Sequence, residues 1–147
     1  MTTPDPGSFR DPLSRVYVGG SEVLRGLTAE GLREFEAVQA SPFLADAMAD
    51  GSVVQTELVP AGTHPLHAEW AGVLRHERVP VISYPYEWTF EMLRDAALLQ
   101  IDVTRRAIEA GLTSKDATSY NIVFQGTRPV FIDVGSFEKA RPGEPWP

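Results

Sequence analysis

The chain has no cysteine. That excludes disulfide scaffolds, thiolate nucleophiles and cysteine-ligated metals, and it suits a reducing compartment. Lysine is almost absent too. Lys115 and Lys139 are the only two, and with the arginines they make 13 cations against 20 carboxylates, a net charge of −7. Phosphate affinity comes from clustered Lys and Arg, so a general nucleic-acid binder is excluded. No run approaches the roughly 20 apolar residues of a membrane span. The stretch Met1–Arg15 lacks the basic start and apolar core of a secretory signal. The expectation is a soluble, cytoplasmic chain with neither a nucleic-acid nor a membrane partner. What remains is a globular composition, 43% hydrophobic and 22% charged over 147 residues, which argues against wholesale disorder and suits one domain.

Residues 1–14, with Pro4, Pro6, Gly7 and Pro12, read as a flexible tail. Arg15–Val18 and Glu22–Arg25 flank Gly19-Gly20 and predict a hairpin. Thr28 starts a helix carrying Leu32, Phe35 and Val38, and Ser41-Pro42 opens a second that stops at Asp50-Gly51. Val53–Val59 predicts a strand, Trp70–Leu74 a short apolar segment, and Val79–Pro85 a strand whose prolines restrict it to an edge or to its ends. The longest helix signal runs from Thr89 to Ala110. Phe90, Leu93, Ala97, Ile101, Thr104 and Ile108 recur at helical spacing, which predicts a well-buried face. Two strands, Ile122–Phe124 and Pro129–Ile132, follow a polar loop. The proline-rich 139–147 segment is a second flexible tail.

The chemistry gathers between Lys115 and Phe137. Asp116 follows the long helix, Asn121 comes five residues later before a strand, and Asp133 ends the returning strand. Antiparallel pairing folds Asp133 back toward the Asp116–Asn121 loop. Two carboxylates and a carboxamide make a hard oxygen set suited to Mg²⁺, and one carboxylate could take a proton from an attacking hydroxyl.

Asp116-x-x-x-x-Asn121 with Ile132-Asp133-Val134-Gly135 resembles the protein-kinase-like superfamily, which includes aminoglycoside and choline phosphotransferases. The resemblance implies Asp116 as catalytic base, Asn121 and Asp133 as metal ligands, Arg25 and Lys115 as nucleotide-binding cations, and Mg²⁺ and ATP as cofactors. It implies a reduced α+β kinase-like fold: an N-lobe-like part at 15–82, a hinge-like Ser83–Trp88 and a C-lobe-like part at 89–138. In that frame Glu30, Glu34 or Glu36 would pair with Arg25. Ser114-Lys115 stands where the superfamily has His-Arg or His-Gly, and no lysine lies in the N-terminal half.

A narrower resemblance rests on Ser83–Trp88, Met92–Leu99, Lys115–Asn121 and Pro129–Glu138. These segments are similar to the N-terminal region of bacterial proteins classed as class I SAM-dependent methyltransferases, nodulation-type relatives among them. The resemblance implies an accessory or regulatory pseudokinase-like module, partnered by a methyltransferase domain or subunit. Its alternatives are an active small phosphotransferase, and a fragment of a methyltransferase whose catalytic domain is absent from this chain. No glycine-rich SAM loop follows a strand in this sequence, so SAM is not expected to bind it.

Other features read more plainly. His64 and His67 belong to a surface turn, and His76, among Arg75, Glu77 and Arg78, to a solvated strand edge or turn. Gly135-Ser136-Phe137 lacks the second glycine of a hydrolase nucleophile elbow. Tyr84, Tyr86, Trp88 and Phe90 read as packing anchors; the kinase-like resemblance implies that they border a nucleotide cleft, and aromatics there fit a protein-docking patch equally well. Trp146 reads as a contact for a downstream partner.

Overall fold

A computed structural model describes residues 2–141 and 143. Trp146 lies outside the described residues. In chain order the elements are β1 (Thr3–Pro4), β2 (Ser14–Gly19), β3 (Glu22–Leu27), α1 (Ala29–Gln39), α2 (Pro42–Ala49), β4 (Thr56–Leu58), β5 (Gly72–His76), α3 (Phe90–Glu109), β6 (Leu112–Ser114), β7 (Ile122–Gln125), β8 (Arg128–Phe131) and β9 (Phe137–Lys139). The expected α+β class holds. The chain divides into two compact units: residues 1–36 with 55–78, and residues 37–54 with 79–147.

The first unit is an antiparallel sheet in the order β1-β2-β3-β5-β4. The expected hairpin is its centre, with Gly19 paired to Glu22 and Gly20 at φ +57 supplying the left-handed turn conformation. Side chains alternate between its faces. Tyr17, Leu24 and Val73 share one face with Val59, joined by Leu66 and Trp70. Gly26 lets the Trp70 ring lie on the backbone; a Cβ there would sit 2.4 Å from the indole. The Trp70 indole donates to the Tyr17 hydroxyl at 3.0 Å. On the other face Leu32 of α1 covers Gly72.

Two expectations about this unit fail. The N-terminal stretch is tied to the sheet: β1 pairs with β2, the Asp5 amide donates to the Val16 carbonyl at 2.8 Å, and the Asp5 carboxylate accepts from the Gly7 amide. Pro4 and Pro6 are compatible because an edge strand and the start of a 3-10 turn need no donor there. The expected Val53–Val59 strand shortens to β4, because Val53 and Val54 turn to Phe131 instead.

In the second unit α2 starts as the sequence suggests, with Ser41 Oγ accepting from the Phe43 amide and Pro42 in the first position. The Thr89 hydroxyl caps α3, and Gly111 at φ +76 ends it. Phe43, Phe131 and Phe137 form an aromatic core, with ring centroids 5.0 Å apart for Phe43–Phe137 and 5.1 Å for Phe131–Phe137. The segment expected as an edge strand at Val79–Pro85 is irregular and leads into a 3-10 turn, Pro85–Glu87.

Helix α3 departs most from expectation. Its buried row is Ala96, Val103 and Ala107, small side chains that allow close packing on β6 and β8. The larger row expected to be buried is in water: Phe90 is 77% exposed and Ile101 65%, with Leu93 and Ile108 also exposed. Periodicity reports that apolar rows exist. It does not report which one the sheet selects.

Candidate functional site

The site is built where α3 hands the chain to β6. Ser114 closes that strand opposite Phe137 and is 1% exposed. Its hydroxyl donates to the main-chain carbonyl of Asp116 at 2.9 Å, and the Asn121 carboxamide Nδ2 donates to the same carbonyl at 3.2 Å. The Asp116 carboxylate accepts from the Thr118 amide at 2.9 Å, a local turn of the kind Asp favours. The loop is thus held by its own polar groups, with the Asp116 side chain exposed at its rim.

The returning hairpin brings up the second acid. Ile122 pairs with Phe131, and the Ile132 amide donates to the Asn121 carbonyl at 2.8 Å. Asp133, half-buried, is therefore one residue from the position facing Asn121. Its carbonyl accepts from both the amide and the hydroxyl of Ser136, at 3.0 and 2.9 Å. Ser136 Oγ lies 3.5 Å from Ser114 Oγ, and the Lys115 amide donates to the Ser136 carbonyl at 2.7 Å. Two buried serines thus clamp the Asp116 loop to the Asp133 turn. The sequence motifs mark Ser136 only as a non-nucleophile and Ser114 only as a departure from the kinase-like His. The available signal was a serine ending β6 just before Asp116 and another three residues after Asp133.

Asp116, Asn121 and Asp133 are brought to one end of the β7–β8 hairpin, with Lys115 beside them. The Lys115 ammonium leans toward Glu138 at 4.0 Å. Among the described residues no three His, Asp or Glu side chains form a metal-holding group. The donor set at this loop is two carboxylates and one carboxamide. That is too few for a self-sufficient cage, but it fits Mg²⁺, which keeps waters and phosphate oxygens in its shell. Nδ2 of Asn121 is taken up by the Asp116 carbonyl, which leaves Oδ1 as its acceptor atom.

Arg25 belongs to the other unit. It is buried on β3, and its Nη1 donates to Ser14 Oγ at 3.2 Å. His76 is also buried, at 7% exposure, which corrects its reading as a solvated residue. Its Nδ1 is 2.8 Å from Thr56 Oγ1. Burial, and then the charge of Arg25, push its pKa down to about 3. The charged neighbour Arg75 points to the opposite face, where it pairs with Glu22 and Glu57, so a strand alternating in and out looked solvated throughout. His64, by contrast, caps a surface turn as expected, accepting from the Leu66 amide.

The segment before α3 is pinned at Trp88. Its indole donates to Ser83 Oγ at 3.0 Å, and its ring meets Phe124 edge-on at 5.2 Å. Glu87 accepts from the Tyr84 amide at 2.7 Å. Tyr84 and Tyr86 stack at 5.6 Å and an interplanar angle of 9°.

No protein-family model matches the chain. Among curated proteins, it is 34% identical over 141 residues to nodulation protein NoeA of Rhizobium meliloti (strain 1021). The match covers 95% of this chain and 29% of NoeA, so the chain spans less than a third of that relative's length. No helix among the described residues is long and apolar enough to cross a membrane.

Proposed function

We propose that the chain is an accessory or regulatory kinase-like module of a SAM-dependent methyltransferase system, with a weak Mg²⁺–nucleotide site at Asp116, Asn121 and Asp133. The observation that carries this reading is the clamp just described. The Asp116 carbonyl is held by Ser114 and Asn121, and Asn121 is laddered to the residue before Asp133. Three oxygen-bearing side chains on one rigid loop pair are what a phosphate-bridging cation requires. In this reading Asn121 and Asp133 would hold the metal, which would neutralise phosphate charge. Asp116, exposed and oriented by Thr118, would accept the proton of an attacking hydroxyl if transfer occurs. The likeness to NoeA supports a bacterial nodulation-type setting. The methyltransferase link rests on the resemblance of the four sequence segments.

The 29% coverage of NoeA favours one further reading: the chain corresponds to one part of a longer polypeptide, and if methyl transfer belongs to the system it would reside in another part.

Thermal unfolding with ligands tests the site. A ligand selective for the native state raises the melting temperature. Mg²⁺ with ATP is expected to raise it, ATP with chelator to leave it unchanged, and Asp133→Ala to abolish the shift while melting normally on its own. SAM is expected to have no effect. A flat response to millimolar Mg²⁺–ATP removes the nucleotide site, and a SAM-dependent rise removes the assignment of methyl transfer elsewhere.

A further inference from the structure

We propose that the Ser114 and Ser136 hydroxyls are coupled positioning groups, through which a displacement of the Asp133 turn is passed to the Asp116 carbonyl and so to the Asn121 side chain. The consequence for nucleotide binding rests on the reading of the site given above; the linkage itself rests on hydrogen bonds that close into a circuit. Ser114 Oγ donates to the Asp116 carbonyl at 2.9 Å, and Asn121 Nδ2 donates to the same oxygen at 3.2 Å. The Asn121 carbonyl accepts from the Ile132 amide at 2.8 Å. Asp133 is the next residue, and its carbonyl accepts from Ser136 Oγ at 2.9 Å. Ser136 Oγ faces Ser114 Oγ at 3.5 Å, which returns the circuit to its start. That contact is the longest in the circuit, so it is where the circuit can give.

Counting protons explains why the two loops move together. A hydroxyl has one proton and two lone pairs. Ser114 and Ser136 each give that proton to a main-chain carbonyl, so their contact sets two oxygens side by side with both protons directed away. When the Asp133 carbonyl is drawn off, the Ser136 proton has an acceptor in Ser114 Oγ; when the Asp116 carbonyl moves, the Ser114 proton has one in Ser136 Oγ. Ser114 is 1% exposed and Ser136 3%, so bulk water does not reach either proton, and an unpaired buried hydroxyl is costly. A shift of one loop therefore turns one hydroxyl toward the other and changes what the second loop receives. The main chain around them is held: Ser114 pairs with Phe137 across β6 and β9, and the Lys115 amide donates to the Ser136 carbonyl at 2.7 Å. Rotation of the hydroxyls is the motion left. A cation on the Asp133 carboxylate would pull on its turn, and the circuit would carry that pull to the other two groups of the site.

The test is nitrogen–proton NMR of the full chain, read at the Asn121 side-chain amide and the Ser136 main-chain amide, first without ligand and then with Mg²⁺ and ATP. Without ligand, Ser136→Ala is expected to shift the Asn121 side-chain resonance, and Ser114→Ala to shift the Ser136 amide. Ser136→Cys keeps nearly the same volume and donates only weakly. It is expected to shift Asn121 as the alanine does, and it decides the outcome where the alanine variant unfolds. With Mg²⁺–ATP each alanine variant is expected to bind roughly tenfold more weakly, and the double variant also roughly tenfold, because the second change acts on a circuit already open. Independent supports would multiply to roughly a hundredfold, which would overturn the coupling. An Asn121 resonance that stays in place in both Ser136 variants would overturn it too and leave the serines as fillers of space. A wild type that ignores Mg²⁺–ATP removes the nucleotide reading alone; the ligand-free shifts then decide the linkage by themselves.

Discussion

In residues 1–36 and 55–78 a guanidinium and an imidazole are buried in a sheet, while in residues 37–54 and 79–147 a phenylalanine, three tyrosines and several aliphatic side chains of α3 stand in water. Cross-strand neighbours give each buried group a partner, Ser14 for Arg25 and Thr56 for His76, while His76 Nε2 stays buried without one, a cost the imidazole lowers by staying neutral. The second unit spends its small residues on internal packing, Ala96, Val103 and Ala107 against the hairpin, and leaves its large ones outward. The first unit thus takes polar groups inside, and the second leaves large apolar ones outside.

The sharpest way to break this comparison is to truncate inside and outside the second unit. Phe131 is fully buried among Phe43 and Phe137, so Phe131→Ala should cost about 3–5 kcal/mol in chemical denaturation. A loss below about 1 kcal/mol would mean the aromatic core is loose.

The buried imidazole of the first unit gives the next effect. His76 titrates near 3 when folded against an ordinary 6.5, so between those values the unfolded chain binds the extra proton. Stability is therefore intact above pH 6.5 and falls as the pH drops toward 3, by at most about 1.4 kcal/mol per pH unit. Denaturant midpoints across this window should show the slope, and His76→Gln should flatten it. An unchanged slope in that variant would place the proton uptake elsewhere.

A smaller loss is expected at Gly26. Its α-carbon faces the Trp70 ring, and Gly26→Ala should destabilise by about 1–3 kcal/mol through overpacking, with Trp70 fluorescence reporting the displaced ring. Neutral stability with unchanged fluorescence would mean the ring moves freely. The smallest effect belongs to α3's outer row: Ile101→Ser should change stability by less than about 0.5 kcal/mol, and a larger loss would show that this row is covered.

Local rules in the sequence were enough for the hairpin around Gly19-Gly20, the Ser41-Pro42 helix start and the span of α3, because glycine, proline and hydroxyl caps act on their immediate neighbours. The return of the β7–β8 hairpin, which sets Ile132 against Asn121, was legible because strand pairing brings a returning chain back to its start. The N-terminal strand was not, since its two residues are held by a partner strand rather than by their own propensity. Nor was the orientation of α3, where two apolar rows compete and the geometry of the hairpin decides. His76 was hidden by charged neighbours that point the other way. Ser114 and Ser136 were missed because their value lies in carbonyls they hold, which composition does not reveal.

The most direct measurement is the Asn121 side-chain amide resonance in a two-dimensional nitrogen–proton NMR spectrum, followed as Mg²⁺ and ATP are added. The account predicts that this resonance, donated to the Asp116 carbonyl, shifts with Mg²⁺ and ATP together, shifts little with either alone, and stays fixed in Asp133→Ala. A resonance unmoved at saturating Mg²⁺–ATP, or moved identically in Asp133→Ala, would contradict it.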